Sequence, residues 1–453
     1  MPNVGASMSA APVPWKRAAA WLVLLGPLFY ATYGFATWWA TTRAHVPSAA
    51  FAWERHIPFW PWTIFPYWTI NVFYALSLFF GRSRHLVDRH ALRLLTATVI
   101  AVTCFVLWPL EFSFGQPPVD GAPAFLFDAL RGFDKPFNQA PSLHIALAVI
   151  LWDWYQRLLE NPWARGVLHL WTFAICASVL TTWQHHFIDI PTGALLGMFC
   201  VWLWPLERVP SMPRVWRLAS DPQRWKLAAY YAAGAAACLA AAVHIGGIAL
   251  WLGWPAASLA LVAFNYIGFG ARGFQMNARG HMAWAARWLL LPYRAGAALN
   301  ARVWTRKMRA YSEVLPGLWL GRIPDFVEWL AAGKPRLVSL SAELQMPSGH
   351  GAHCLPMLDL VVPSPAHLRR AALIIEAQHR TGATVWICCA LGFSRSAASL
   401  VGWIAAHAKD AKVAQALADA EELVRQTRPQ IVLRPAWRVA LAQAIREPDA
   451  HDS

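Results

Sequence analysis

The feature that most constrains the fold is a series of eight apolar segments, each about long enough to cross a bilayer as a helix. Only 14% of the 453 residues are charged and 57% are hydrophobic, whereas soluble domains carry about 25% charged residues. The sequence therefore predicts a polytopic α-helical membrane domain over residues 1–270. Its spans are predicted near residues 18–37, 61–81, 93–110, 143–158, 167–184, 190–206, 227–246 and 250–269.

The basic residues predict how these spans are oriented. Lys and Arg crowd every second loop, at Lys16 and Arg17, over 81–93, around Arg157 and Arg165, and over 208–226. By the positive-inside rule these loops and both chain ends face the cytoplasm. We interpret the first segment as a transmembrane helix, because no small-residue cleavage site of a signal peptide follows it. The net charge of +15 is then a property of membrane topology, and no nucleic-acid partner is expected. The predicted location is the cell inner (cytoplasmic) membrane.

A basic segment follows the last predicted span. Residues 271–312 contain eight Arg or Lys and no acidic residue. The spacing of seven or eight residues predicts five of the arginines on one face of an amphipathic, membrane-surface linker over 271–311. An ordinary positive flank and recognition of anionic phospholipid headgroups are both open interpretations. The five are Arg272, Arg279, Arg287, Arg294 and Arg302.

The third region, 312–453, has the composition of a soluble α/β domain and contains the stretch WICCALGFSRS. This pattern predicts a buried strand ending at Cys388, a tight loop, and a helix starting near Arg395. The backbone N–H groups of such a loop, together with the helix N-terminus, bind an anion. Cys389 is the predicted nucleophile, Arg395 the fork that holds two phosphate oxygens, and Ser396 a hydrogen-bond partner of the sulfur. The predicted phosphate-binding residues are Ala390, Leu391, Gly392, Phe393 and Ser394.

The Cys-x5-Arg-Ser pattern after a buried strand resembles the cysteine-dependent dual-specificity phosphatases over about residues 312–446. The resemblance implies a phosphocysteine intermediate. It also implies a general acid about thirty residues before the nucleophile, a position that Asp359 occupies. One departure is Cys388, where the family usually has His. A neighbouring cysteine either packs as a small apolar residue or allows reversible oxidation that protects the nucleophile.

A second constellation lies in the membrane half. Ser142-Leu143-His144 and His185-x3-Asp189 are about forty residues apart, at the predicted outer ends of neighbouring helices. Over about residues 60–210 they resemble the type-2 phosphatidic acid phosphatase superfamily. The resemblance implies that His185 attacks phosphorus, Asp189 orients it, His144 is the general acid and Ser142 contacts the phosphate. His186 is a rival, but only His185 has the family's spacing to Asp189.

This sequence departs from that family where basic residues are expected. Glu111 and Gln116 stand in the first motif, and Val179 follows Ser178 where the family has Arg. Lys135, as a phosphate-binding residue, and Arg131 are the candidate substitutes. In lacking this arginine, the sequence resembles the branch that contains inositol phosphorylceramide and sphingomyelin synthases, which transfer headgroups.

As a whole, the chain resembles bacterial two-domain proteins that join these two phosphatase types. Four of its seven cysteines lie within the predicted spans and no CxxC pair occurs, so no metal, cofactor or disulfide framework is expected. The predicted function is a membrane-bound phosphatase of phosphorylated lipids, with a cytoplasmic Cys389 site and an outward-facing His185 site. One alternative is a membrane-tethered protein-tyrosine or dual-specificity phosphatase that acts on a phosphoprotein. Another is a membrane half that senses phospholipid without catalysis.

Overall fold

The computed structural model describes residues 13–132, 135–207, 217–347, 352–408 and 412–446. The chain divides into two compact units, Met1–Pro210 and Ser211–Ser453. Part of the basic loop predicted over 208–226 lies outside the described residues.

The first unit is helical. Side chains that accept a backbone N–H begin three of its helices, Ser83 for α3, Ser142 for α5 and Asn161 for α6, which satisfies donors that a helix start otherwise leaves unpaired. The helices are α1 (Trp15–Thr41), α2 (Ile64–Ser77), α3 (Arg84–Leu107), α4 (Ala122–Arg131), α5 (Leu143–Leu158), α6 (Pro162–Thr181) and α7 (Asp189–Leu203).

Within the described chain, six helical segments are long and apolar enough to cross a membrane, which indicates a membrane protein. The remaining two predicted spans coincide with α5 and α7, helices of 16 and 15 residues. The helical architecture of this part is thus confirmed, and the eight membrane spans stay a prediction. The six segments are Trp15–Thr41, Pro61–Phe80, Arg84–Leu107, Pro162–Thr181, Pro222–Ile245 and Gly247–Phe274.

Two glycines bring α5 and α7 close together. A Cβ on Gly193 would lie 2.5 Å from the backbone oxygen of Ser142, and one on Gly197 would lie 2.7 Å from that of Ala146. Small residues four apart allow such close helix packing. The start of α5 is thereby held against the start of α7.

The second unit begins with two packed helices, α8 (Pro222–Ile245) and α9 (Gly253–Phe264), followed by a π-helical turn over Asn265–Phe269. Two further helices, α10 (Trp284–Leu289) and α11 (Leu291–Thr305), precede the sheet. The prediction that the five arginines share one helical face is wrong. Arg272 and Arg279 lie before α10, where an irregular segment with a bridge between Met276 and Met282 interrupts any helix.

A five-stranded sheet of order β1-β2-β5-β3-β4 forms the rest of the unit, antiparallel between β1 and β2 and otherwise parallel. The central strand β5 is buried along its whole length, as expected of an apolar run in a parallel sheet. The predicted α/β domain is confirmed. The strands are β1 (Tyr311–Leu315), β2 (Leu318–Arg322), β3 (Arg336–Ser341), β4 (His353–Met357) and β5 (Val385–Cys389); the helices are α12 (Phe326–Ala331), α13 (Pro365–His379), α14 (Arg395–Ala406), α15 (Val413–Thr427) and α16 (Pro435–Arg446).

The segment before the sheet belongs to the same unit as the sheet. The backbone N–H of Cys354, on the edge strand β4, donates to the carbonyl of Ala278 at 2.7 Å. Arg302 of α11 pairs with Asp325 and Glu328, each at about 3 Å. The observed division between 210 and 211 therefore differs from the boundaries at 270 and 311 that composition alone predicts.

Candidate active sites

Cys389 is the last residue of β5, and residues 390–394 form the loop before α14, which begins at Arg395. Its sulfur accepts the backbone N–H of Gly392 and the hydroxyl of Ser396, each at 3.2 Å. The thiol is 3% exposed. The sulfur thus has two hydrogen-bond donors, one from the loop backbone and one from the first turn of α14.

Gly392 fixes the shape of this loop. Its φ is +77°, and a Cβ there would lie 2.4 Å from the backbone carbonyl carbon of Gly321. Two further bonds hold the loop from outside: the N–H of Val432 donates to the carbonyl of Phe393 at 2.9 Å, and the guanidinium of Arg428 donates to that of Leu391 at 3.5 Å. The loop is built by a backbone-to-backbone contact that only glycine permits.

Arg395 is surrounded by acceptors. Glu343 accepts from both terminal nitrogens, at 2.9 and 2.6 Å, and the carbonyl of Met357 accepts from Nη1 at 2.9 Å. Asp359 Oδ1 lies 2.8 Å from Nη2. Among the described residues, none accepts from Nε. A phosphate that engages Nε and Nη2 together must displace Asp359 from Nη2.

The pKa values of the two carboxyl groups around Arg395 are shifted in opposite directions. Burial opposes ionisation of Glu343, but the charge and hydrogen bonds of Arg395 outweigh it and hold its pKa below the usual value. Burial raises the pKa of Asp359, Arg395 lowers it, and the charge of Glu343 raises it again, so that the net shift is upward. Glu343 is therefore the permanent partner of Arg395, and Asp359 is the group that can carry a proton.

Glu343 is the residue of this site that the sequence analysis missed. It lies in the loop after β3 and is 3% exposed, yet no spacing relates it to Cys389. The available signal was a lone acidic residue directly after a buried strand, in the stretch SLSAELQM. A buried carboxylate requires a partner, and Arg395 provides it.

Cys388 is fully buried. It lies on the opposite face of β5 from Cys389, because successive side chains of a strand alternate between the two faces. In the sheet it pairs with Gly321 of β2 and Ser339 of β3. Burial raises the pKa of its thiol well above the usual value, which keeps the thiol neutral.

The histidine cluster of the first unit forms a second buried site. His185, in the loop between α6 and α7, lies 3.1 Å from Asp189 Oδ2 through Nδ1 and 3.3 Å from Ser142 Oγ through Nε2. His144 stacks on Tyr67 with ring centroids 4.1 Å apart and is within electrostatic range of His185. Four of the residues picked from the sequence, Ser142, His144, His185 and Asp189, are thus brought together.

The rival histidine has both ring nitrogens occupied. His186 Nδ1 lies 2.8 Å from Glu54 Oε2, and Nε2 accepts the backbone N–H of Ser113 at 3.1 Å. Glu54 is 2% exposed. A histidine fixed at both nitrogens holds loops together, whereas the Nε2 of His185 faces the hydroxyl of Ser142.

Where the resemblance expects basic residues, this chain has Glu111, Gln116 and Val179, and the candidate substitutes Lys135 and Arg131 are exposed. Gln116 donates to the carbonyls of Thr182 and Trp183, at 2.9 and 3.1 Å, and so supports the loop that carries His185. Val179 is buried. Lys135 is exposed, and Arg131 lies 3.6 Å from Asp128.

No protein-family model matches this chain, and no curated protein matches it. Among solved structures, PTPMT1 in complex with PI(5)P is 18% identical, with a TM-score of 0.26 over 30% of this chain and 95% of that one. Human DUSP28 is 25% identical, with a TM-score of 0.27 over 30% and 93%. Tk-PTP in its active form is 23% identical, with a TM-score of 0.26 over 30% and 95%. The likenesses concern the C-terminal part of the chain.

Proposed function

We propose that the protein is a membrane-bound phosphatase that acts on phosphorylated lipids, with a phosphoric monoester hydrolase site at Cys389. The observation that carries the proposal is the convergence on one point of three groups: the Cys389 sulfur with its two donors, the Arg395 fork, and Asp359, whose pKa is raised.

The geometry supports a two-step reaction. The Cys389 thiolate attacks phosphorus, an S–P bond forms, and the P–O bond to the leaving alcohol breaks while Asp359 gives that oxygen its proton. Water then hydrolyses the phosphocysteine, with Asp359 taking the proton from the water. Ser396 stabilises the departing thiolate through the bond already present, and Arg395 holds the non-bridging oxygens once the phosphate has displaced Asp359.

A lipid is the proposed substrate because the Cys389 site shares its unit with two of the long apolar segments, Pro222–Ile245 and Gly247–Phe274. A phosphatase site joined to membrane helices meets lipid headgroups at high local concentration. We place the site on the cytoplasmic side of the inner membrane, with both termini cytoplasmic, from the charge of the loops. A phosphoprotein substrate is the competing outcome of the test below.

The buried histidine cluster is proposed as a second site, facing outward. With Nδ1–H donated to Asp189, His185 presents the lone pair of Nε2 as nucleophile, Ser142 contacts the phosphate and His144 protonates the leaving oxygen. No basic side chain is seen at this cluster among the described residues, so we propose that a singly charged phosphodiester suits it as well as a monoester. Headgroup transfer and hydrolysis are both consistent with this chemistry.

The test follows the release of phosphate and of lipid headgroups by the detergent-purified protein, from a panel of lipid phosphates, phosphodiester lipids and phosphotyrosine peptides. Cys389→Ser and His185→Ala are compared with wild type and with Cys104→Ser, which changes a cysteine of α3. Loss of lipid turnover in Cys389→Ser supports the first site, and a separate loss in His185→Ala on another lipid supports the second. Peptide turnover alone overturns the lipid proposal. If the protein binds lipid but His185→Ala changes no lipid turnover, the membrane half is a phospholipid sensor without catalysis.

A further inference from the structure

We infer that α8, α9 and α11 are part of the Cys389 active site, and that this site takes a lipid whose headgroup carries a single phosphate. The inference rests on the proposed function and specifies its substrate. Each part follows from residues of the second unit alone.

A cavity of about 410 Å³ opens beside the Cys389 loop, a size typical of ligand pockets. One part of its lining belongs to the phosphate site: Glu343, Asp359 and Ala390. The other part comes from helices that precede the sheet: Tyr231 of α8, Pro255 and Leu259 of α9, and Ala297 of α11. The helices therefore supply the wall that a substrate meets when its phosphate is at Arg395.

This wall leads toward exposed apolar surface. Trp254, next to Pro255, donates to the carbonyl of Trp288 at 3.1 Å, and Trp288 is 50% exposed. At the turn between α8 and α9, Ile245 and Ile248 are 72% and 85% exposed. Exposed apolar side chains in such number mark a surface that meets lipid. The cavity thus has a polar end at Glu343 and Asp359, the two partners of Arg395, and an apolar end at α9, as a lipid with a phosphate headgroup requires.

The same helices hold the two carboxylate loops of the site. The hydroxyl of Tyr266, in the π-helical turn after α9, donates to the backbone carbonyl of Asp359 at 3.0 Å. Arg294 of α11 donates to the carbonyl of Glu343 at 3.3 Å and to Gln345 Oε1 at 2.9 Å. Tyr266 and Arg294 are therefore positioning residues for the general acid and for the partner of Arg395.

The charge of the cavity limits the substrate to one phosphate. Among the described residues that line it, none is Lys or Arg, and two, Glu343 and Asp359, are carboxyl groups. Arg294, on the adjacent helix, is engaged with the Glu343 loop. A second phosphate in this space would lose its hydration without gaining a cation, and a buried unpaired charge is strongly unfavourable. The remainder of the substrate is therefore neutral, as in a phosphorylated diacylglycerol or long-chain alcohol.

The first test fills the cavity from α11. Ala297→Leu places a larger side chain on its wall, and Ala298→Leu makes the same change at a neighbouring exposed residue that does not line it. For phosphatidic acid in mixed micelles relative to p-nitrophenyl phosphate, we expect the ratio of kcat/KM values to fall about tenfold or more in Ala297→Leu, since pocket volume discriminates on this scale. Ala298→Leu keeps the wild-type ratio. Equal ratios in both variants contradict the inference.

The second test concerns charge. Wild type is expected to hydrolyse phosphatidic acid at least about tenfold more efficiently than phosphatidylglycerophosphate, whose internal phosphodiester is the second charge. Asn300→Arg adds a cation to the lining and narrows this difference, whereas Asn300→Gln does not. Equal efficiency of wild type on both lipids overturns the single-phosphate assignment.

These results separate the inference from the function on which it rests. If no lipid phosphate is released in a Cys389-dependent reaction, the proposed function fails. If lipids are hydrolysed but the ratios do not respond to Ala297 and Asn300, the function stands and the role of the helices is wrong. Tyr266→Phe adds a readout specific to positioning of Asp359. The high-pH limb of kcat/KM for phenyl phosphate shifts, while the KM for p-nitrophenyl phosphate stays near that of wild type.

Discussion

At the scale of single residues, the Cys389 site depends on one cation shared by two carboxyl groups. Glu343 holds Arg395 through two bonds, and Asp359 occupies the nitrogen that a phosphate needs. In the proposed reaction, phosphate binding therefore releases Asp359 from Arg395 in the same step that fills the site. The coupling is electrostatic, so that changing one charge shifts the titration of the other.

Glu343→Gln is predicted to move the high-pH limb of kcat/KM to lower pH. In wild type the charge of Glu343 helps to raise the pKa of Asp359. Without it, Arg395 pairs with Asp359 alone, the pKa of Asp359 falls, and the acid loses its proton at lower pH. Phenyl phosphate is a suitable substrate because its leaving oxygen needs protonation. We also expect kcat/KM to fall about tenfold or more, because Arg395 loses its charged partner.

The matched control is Glu422→Gln on α15, an exposed carboxylate, which leaves the pH profile unchanged. An unchanged profile in Glu343→Gln would mean that Asp359 does not titrate in this reaction.

Gly392→Ala is predicted to lower kcat at Cys389 about 100-fold, the scale seen when one hydrogen-bond donor is lost from an oxyanion site. The new Cβ would meet the backbone of Gly321 at 2.4 Å, and φ is +77°. Gly382→Ala separates these causes, because its φ is +71° with no atom within 4 Å of the added Cβ. It should lower stability by about 1 kcal/mol and keep activity. Similar activities of the two variants, measured with p-nitrophenyl phosphate, contradict this account.

At the scale of secondary-structure elements, the histidine site depends on how closely two helices approach. Ser142 begins α5 and Asp189 begins α7, and the N–H of Ser142 donates to the carbonyl of Asp189 at 3.3 Å. Gly193, one turn into α7, allows this contact. The geometry of His185 is thus a consequence of helix packing.

Gly193→Ala is predicted to impair the reaction at His185 by about 100-fold, because a displacement near 1 Å at a reacting group has this effect. The added Cβ must push α5 away, since the backbone oxygen of Ser142 would lie 2.5 Å from it. Gly166→Ala in α6, where nothing lies within 4 Å, is the matched control and retains activity. The measurement is turnover of the lipid that depends on His185; equal activities of the two variants show that the approach of α5 and α7 is not required.

At the scale of the whole molecule, the two sites belong to different compact units. The second unit includes the segment from α8 to α11. This segment bonds to the α/β part of the unit through Ala278 with Cys354, Arg302 with Glu328, and Tyr266 with Asp359. Composition predicts a boundary between the apolar helices α8 and α9 and the α/β domain, whereas these hydrogen bonds and ion pairs make them one compact unit.

A fragment of residues 211–453 in detergent is predicted to retain most of the Cys389-dependent lipid turnover, whereas a fragment of residues 312–453 is predicted to lose about 100-fold or more, the scale of misplaced catalytic groups. The shorter fragment lacks Tyr266, Arg294 and the cavity wall. The comparison requires circular dichroism of both fragments to show that each is folded. Equal lipid turnover by two folded fragments contradicts the assignment of α8 to α11 to this unit.

Several features could be predicted from the sequence because they depend on neighbours along the chain. The apolar runs specify helices, and the strand–loop–helix around Cys389 follows from WICCALGFSRS. The spacing of His185 to Asp189 brings a residue of the loop before α7 to the first residue of that helix. Five arginines at regular intervals were misleading, because periodicity predicts a face only within a continuous helix, and the segment before α10 is irregular.

Only the tertiary structure decided which distant groups share a charge or a cavity. Three such contacts join residues between 52 and 132 positions apart in the chain: Glu343 with Arg395, Tyr266 with Asp359, and His186 with Glu54. Local patterns carry no information on such contacts, because they arise from the packing of whole elements. The sequence thus determined the apolar helices and the strand–loop–helix that carries Cys389 and Arg395, and the fold determined that residues of α8, α9 and α11 line a cavity beside that loop, because only packing brings such distant segments together.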